Sequence, residues 1–132
     1  MTQLFNIISR SKLGFLKKIE FTEITPGRFF QKTKIDLGNG WKQFFVILGP
    51  NIESPMHNHE NQNMEETHML LYGSGKFVIY DKDSKQKELI LSPGEFHEIF
   101  STFNNSPNHK YIAGPKGSVT LTLEHFDDRA WL

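Results

Sequence analysis

Six histidines, His57, His59, His68, His97, His109 and His125, are the side chains of this 132-residue sequence best suited to chemistry. Cysteine is absent, which excludes thiolate zinc sites, iron–sulfur clusters, disulfides and a thiol nucleophile; any metal must be held by nitrogen and oxygen. A single residue separates His57 from His59. In a strand, side chains at i and i+2 leave the same face about 7 Å apart, so these two imidazoles can converge on one ion in front of a sheet. Taken alone, the pair reads first as solvent-exposed histidines. Glu65 and Glu66 stand just before an apolar stretch at His68 to Tyr72, and His97 follows Pro93-Gly94. A carboxylate and a third imidazole are therefore expected on neighbouring strands.

The elements that must position these groups are strands. Twelve phenylalanines, mostly beside Val, Ile, Thr and Tyr, give a strand-forming texture. Apolar runs alternate with turn residues: Ile19 to Thr25, Pro26-Gly27, Phe29 to Ile35, Gly38-Asn39-Gly40, Trp41 to Leu48, Gly49-Pro50. Trp41 to Leu48 is apolar on both faces, as in a strand covered on both sides. From His68 onward the spacing predicts strands at His68 to Tyr72, Lys76 to Tyr80 and Glu88 to Leu91, with a turn at Gly73-Ser74-Gly75. Two more, His109 to Ala113 and Ser118 to Phe126, flank a turn at Gly114-Pro115-Lys116-Gly117. Eight to ten short strands imply a sandwich or barrel. Only Leu4, Ile7 and Ile8 have a helical period, which fits a short helix or an added strand.

Composition narrows the function. The length suits one domain over residues 1–132. Fifteen basic residues cancel fifteen acidic ones, so neither nucleic acid nor an anionic membrane surface is an expected partner. Residues 1–50 hold eight Lys/Arg and three Asp/Glu, and the remainder seven and twelve, which predicts two faces that attract within the fold or across an oligomer. No apolar run approaches a membrane span and no secretory leader is recognised, so a cytoplasmic protein is expected.

The order and spacing of these residues resemble the cupin superfamily, small antiparallel β-barrels of jelly-roll type. Their first motif carries a glycine, a His-x-His pair, a glutamate and a second glycine after six intervening residues. Their second carries a proline, a glycine and a histidine three residues beyond that glycine. His57, His59, Glu66 and Gly73 match the first; Gly94 and His97 match the second. The resemblance covers about residues 41–126. This chain departs in having six residues between His59 and Glu66, which leaves Glu60 and Glu65 as alternative ligands, and in placing Ser101 where the family usually has asparagine.

The resemblance implies an all-β single-domain barrel in which His57, His59, Glu66 and His97 hold a divalent first-row transition metal: iron, manganese, nickel or zinc. Such a centre leaves positions open for water, oxygen or substrate. It implies an enzyme acting on a small polar molecule, as dioxygenase, isomerase, epimerase or lyase. His68, two residues past Glu66, is the first acid or base candidate, and Tyr72 a proton or hydrogen-bond donor. Two alternatives are a non-catalytic ligand-binding cupin and a metal-independent sugar isomerase or epimerase using His68, His125 and Tyr111. Alternation with Val119, Leu121 and Leu123 places His125 on the barrel interior, while His109 beside Lys110 reads as surface. The adjacent pairs Phe29-Phe30 and Phe44-Phe45 demand burial on both sides, and since cupins commonly pair through such strands the resemblance implies a homodimer whose exchanged or packed N-terminal strands cover the outward apolar surface.

Overall fold

The computed structural model describes residues 2–58, 64–80, 83, 85–98 and 108–126, with backbone alone at 99 and 100. Leu4, Ile7 and Ile8 recur at i, i+3 and i+4 and form the buried stripe of a helix, α1 (Thr2–Ser11), so the helical alternative holds over the added strand. The helix stops where Lys12 turns to φ 60°, and a short 3₁₀ turn (Gly14–Lys18) then buries Leu16 completely. No helix among the described residues is long and apolar enough to cross a membrane.

Eight strands follow among the described residues: β1 (Phe21–Thr25), β2 (Arg28–Gln31), β3 (Ile35–Gly38), β4 (Trp41–Leu48), β5 (Met64–Tyr80), β6 (Gln86–Ile90), β7 (Phe96–Phe100) and β8 (Asn108–Phe126). Their ladders are antiparallel in the order β1-β2-β4-β8-β5-β6, with β3 on β4 and β7 on β5. This is the jelly-roll arrangement expected, although the ladder stays open among the described residues.

Two expected turns are corners instead. Gly73-Ser74-Gly75 lies inside β5, and Gly114-Pro115-Lys116-Gly117 lies inside β8. The two long strands remain paired from Met64↔Phe126 to Tyr80↔Asn108, with register shifts between Leu70 and Tyr72 and between Gly73 and Gly75. The bulges fold both strands over together. Gly73 has φ 79°, and a Cβ there would overlap the Gly117 carbonyl oxygen, so the corner admits only glycine.

Past the corner the sheet becomes two layers. One contains β1, β2, β4, β7 and the outer limbs of β8 and β5; the other contains β6 and the limbs Gly75 to Tyr80 and Asn108 to Ala113. Between them lies one core, including Phe44, Val46, Leu48, Leu70, Phe77 and Ala113. A second core lies behind the first layer, where Phe29, Phe45, Ile47 and Val119 pack against α1 and Leu16. The adjacent phenylalanines are thereby explained within one chain: Phe30 and Phe44 stack in the interior, centroids 6.1 Å apart, while Phe29 and Phe45 turn to the helix side.

Candidate functional site

A cavity of about 370 Å³ opens between the layers, a size suited to a small organic ligand. Apolar side chains of β2 and β4 form one wall: Phe30, Phe44, Val46 and Leu48. The β8 wall is polar, because Thr120, Thr122 and Glu124 project inward. This reverses the expected facing of β8. Val119 and Leu121 cover the helix-side core, and His125 shares their face. There His125 stacks on Trp41, with centroids 4.1 Å apart and rings 3° from parallel, and its Nδ1 lies 3.0 Å from Glu65 Oε1.

β5 delivers Glu66 and His68 to the cavity at i and i+2, and both are over nine-tenths buried. Glu66 Oε1 contacts His68 Nε2, and the Thr122 hydroxyl sits 3.0 Å from His68 Nδ1. A carboxylate accepts only, so Nε2–H donates to Glu66. Across the β5–β8 ladder Glu66 faces Glu124 directly, an unfavourable like-charge pairing. Each carboxylate has its own partner: Glu66 accepts from His68 Nε2–H, and Glu124 from Lys34 Nζ at 2.7 Å. The latter joins the basic N-terminal half to the acidic remainder within one fold.

The opposite side of the cavity is built by the segment after β4. His57 bridges to His109, its N–H donating to the His109 carbonyl at 2.9 Å and the reverse bond measuring 2.8 Å. Their rings lie 4.4 Å apart. His57 Nδ1 is 2.8 Å from the Pro55 carbonyl, which only accepts; Nδ1 therefore carries a proton and the lone pair is on Nε2. Phe77 stands between the two polar groups, its centroid 4.6 Å from His68 and 6.1 Å from His109.

His109 thus corrects the expectation of a surface position: it is fully buried. Inward alternation of His109, Tyr111 and Ala113 against Lys110 and Ile112 is the signal that locates it. His97 pairs in register with His68 on β7, but its Nε2 accepts the Ser92 backbone N–H at 3.2 Å and it does not line the cavity. The β5 bulge shifts Tyr72 out of the Glu66–His68 face, and it packs against the helix-side core. Glu65 points to His125 on that same side. His59 and Glu60 lie outside the described residues. Among the described residues, no group of three or more His, Asp or Glu is close enough to hold a metal as placed.

Tyr111 is the tyrosine of the cavity wall. Burial raises its phenol to about 12, against a smaller opposing pull from the Ser118 hydroxyl. A Cβ at Gly75 would overlap the Tyr111 hydroxyl, so β5 makes room for it by carrying glycine.

No family model and no curated protein sequence matches the chain. Solved structures do. KdgF from a Halomonas species superposes with a TM-score of 0.63 at 14% identity, covering 88% of this chain and 94% of that one. An RmlC-like cupin from Shewanella frigidimarina gives 0.60 at 13%, covering 88% and 91%. A mutant of Bacillus subtilis oxalate decarboxylase gives 0.67 at 15%, but the 86% of this chain that aligns spans only 29% of that protein. The chain has the cupin fold.

Within this cupin fold the donor types at the cavity, imidazole nitrogen and carboxylate oxygen, are those a borderline divalent ion takes, although the described residues do not converge on one point. His57 and Glu66 line the cavity, one from each layer, and the fully buried His109 ring stands beside His57 outside the lining. Both groups have the supporting contacts that metal ligands ordinarily use: a backbone carbonyl fixes the His57 tautomer, and His68 orients Glu66.

Proposed function

We propose that this cupin is a metal-dependent enzyme acting on a small polar molecule, with His57, His109 and Glu66 as ligands and His59 as the fourth. The observation that carries the reading is that His57 and Glu66 line one cavity, with the His57 tautomer set by Pro55 and the His109 ring 4.4 Å behind it. Neither His97 nor His109 lines the cavity; His109 is preferred because its ring stands against His57, whereas the His97 ring is engaged by the Ser92 backbone. A bound divalent ion would polarise a substrate oxygen or acidify a water.

The remaining residues bind, orient and carry protons. His68 lies between Glu66 and Thr122 and is held in one orientation by contacts at both ring nitrogens. It is the proton-handling group of the pocket. The Tyr111 phenol stays protonated at neutral pH and serves as a fixed donor. Phe30, Phe44 and Phe77 exclude water and strengthen the polar contacts beside them.

Metal analysis of the purified protein tests the assignment. His57→Ala and His109→Ala should each lose most of the metal, and His97→Ala should keep it. Loss in His97→Ala with retention in His109→Ala would restore the ligand set inferred from the sequence motif. A wild-type protein that takes up no divalent metal, yet binds a small ligand without turning it over, would make this a binding module.

A further inference from the structure

Two cations line the cavity, and their situations differ. Lys34 is paired with Glu124. Arg28, at the start of β2, has no carboxylate partner among the described residues. Its guanidinium carbon lies 5.5 Å from the centroid of the Phe30 ring, and its Nη1 donates to the Thr25 hydroxyl at 3.3 Å. Its Nε is buried and meets no acceptor. An unpaired buried donor on a charged group is costly, and burial holds the guanidinium below its usual pKa. What the wall lacks at this point is an anion.

We propose that Arg28 is the anion-recognising residue of the cavity, and that its ligand is a small organic molecule carrying one carboxylate. With Nη1 engaged by Thr25, the Nε–Nη2 edge remains, and that edge matches the two oxygens of a planar carboxylate. One unbalanced positive charge fits one negative charge. A phosphate dianion fits poorly, because Lys34 and Glu124 already neutralise each other and Glu66 is a further acid in the same cavity. The surroundings of Arg28, Phe30, Ile24 and Phe44, are apolar and suit a hydrocarbon body next to the carboxylate. This inference deepens the proposed function, and rests on it only for what happens at the far end of the ligand.

The experiment titrates the full chain with isobutyrate, isobutyramide and inorganic phosphate, following the Arg28 Nε–H resonance and the cavity-lining side chains by NMR. Isobutyrate should shift the Arg28 resonance saturably, and the uncharged amide should not. Arg28→Gln should weaken isobutyrate by at least about tenfold, the scale of a lost charge-assisted pair. Arg28→Lys, which keeps the charge and loses the fork, should fall between them and decides the matter if Arg28→Gln does not fold. His57→Ala separates the two readings. Isobutyrate binding that survives there while metal is lost supports Arg28 independently of the metal. Binding lost in His57→Ala but retained in Arg28→Gln overturns the Arg28 assignment and leaves the metal reading standing. Equal affinity in wild type and Arg28→Gln, or phosphate binding tighter than isobutyrate, overturns the proposal.

Discussion

At the scale of single residues, the cavity is organised by what each polar group is denied or given. Tyr111 is placed where water is excluded, and the nearby Ser118 hydroxyl offsets only part of that burial. Its phenol is raised from 10 to about 12, so its native form holds a proton that the unfolded chain has released between those values. In that window the native state binds more protons than the unfolded state, and stability falls as pH rises. Below pH 10 both states are protonated and the effect vanishes. Thermal melts from pH 9 to 12 should therefore show an alkaline loss of about 2 to 3 kcal/mol attributable to this group, an order-of-magnitude figure. Tyr111→Phe should flatten that loss while leaving neutral-pH stability nearly unchanged. An unaltered alkaline profile in the variant would place the titration elsewhere.

At the scale of elements, the molecule depends on two strands that bend together. Gly73 combines positive φ with a backbone carbonyl where a Cβ would stand. Gly73→Ala should cost at least about 2 kcal/mol in denaturant unfolding, since the conformation alone costs about 1 to 3 and the overlap adds to it. Lys116→Ala, exposed on the neighbouring bend of β8, is the control and should lie within about 0.5 kcal/mol of wild type; a Gly73→Ala protein equally stable would show that the corner tolerates a side chain. The same corner explains what was legible in the sequence. Strand texture and the helical period of Leu4, Ile7 and Ile8 are local patterns and are realised, and the two-sided burial expected of Trp41 to Leu48 is realised from Phe44 onward. A glycine cluster reads as a turn because turns and bulges use the same positive φ; only the matching insertion in β8, some forty residues on, distinguishes them. The bulge also resets alternation, which takes Tyr72 off the face of Glu66 and His68 although simple counting joins them. His109 was hidden for a different reason: Lys110 beside it suggested surface, whereas alternate residues of β8 face opposite layers.

For the molecule as a whole, the continuous pairing of β5 with β8 makes both layers, and hence both sides of the cavity, parts of one ladder. The residues on that ladder also carry Val119, which anchors α1 to the sheet. Little of the structure can therefore open without the rest, and we expect one cooperative transition. Trp41, stacked on His125 at the outer end of the ladder, and Tyr111, buried near its bend, provide separate probes. Trp fluorescence, near-ultraviolet tyrosine signal and far-ultraviolet circular dichroism should give coincident midpoints, and Ile7→Ala under α1 should shift all three equally by about 2 to 4 kcal/mol. A helix-side probe melting ahead of the cavity would divide the chain into two units. Repeating the melt over a range of protein concentrations measures the homodimer expected from the paired phenylalanines, because dissociation on unfolding makes the midpoint climb with concentration. Since α1 and Leu16 already cover Phe29 and Phe45 from within the chain, any such dimer must use other surface, and the prediction tested is that it uses Ile35 and Leu37 on β3, about half exposed at the sheet margin. Leu37→Glu should then abolish the concentration dependence without lowering the midpoint of the dilute protein.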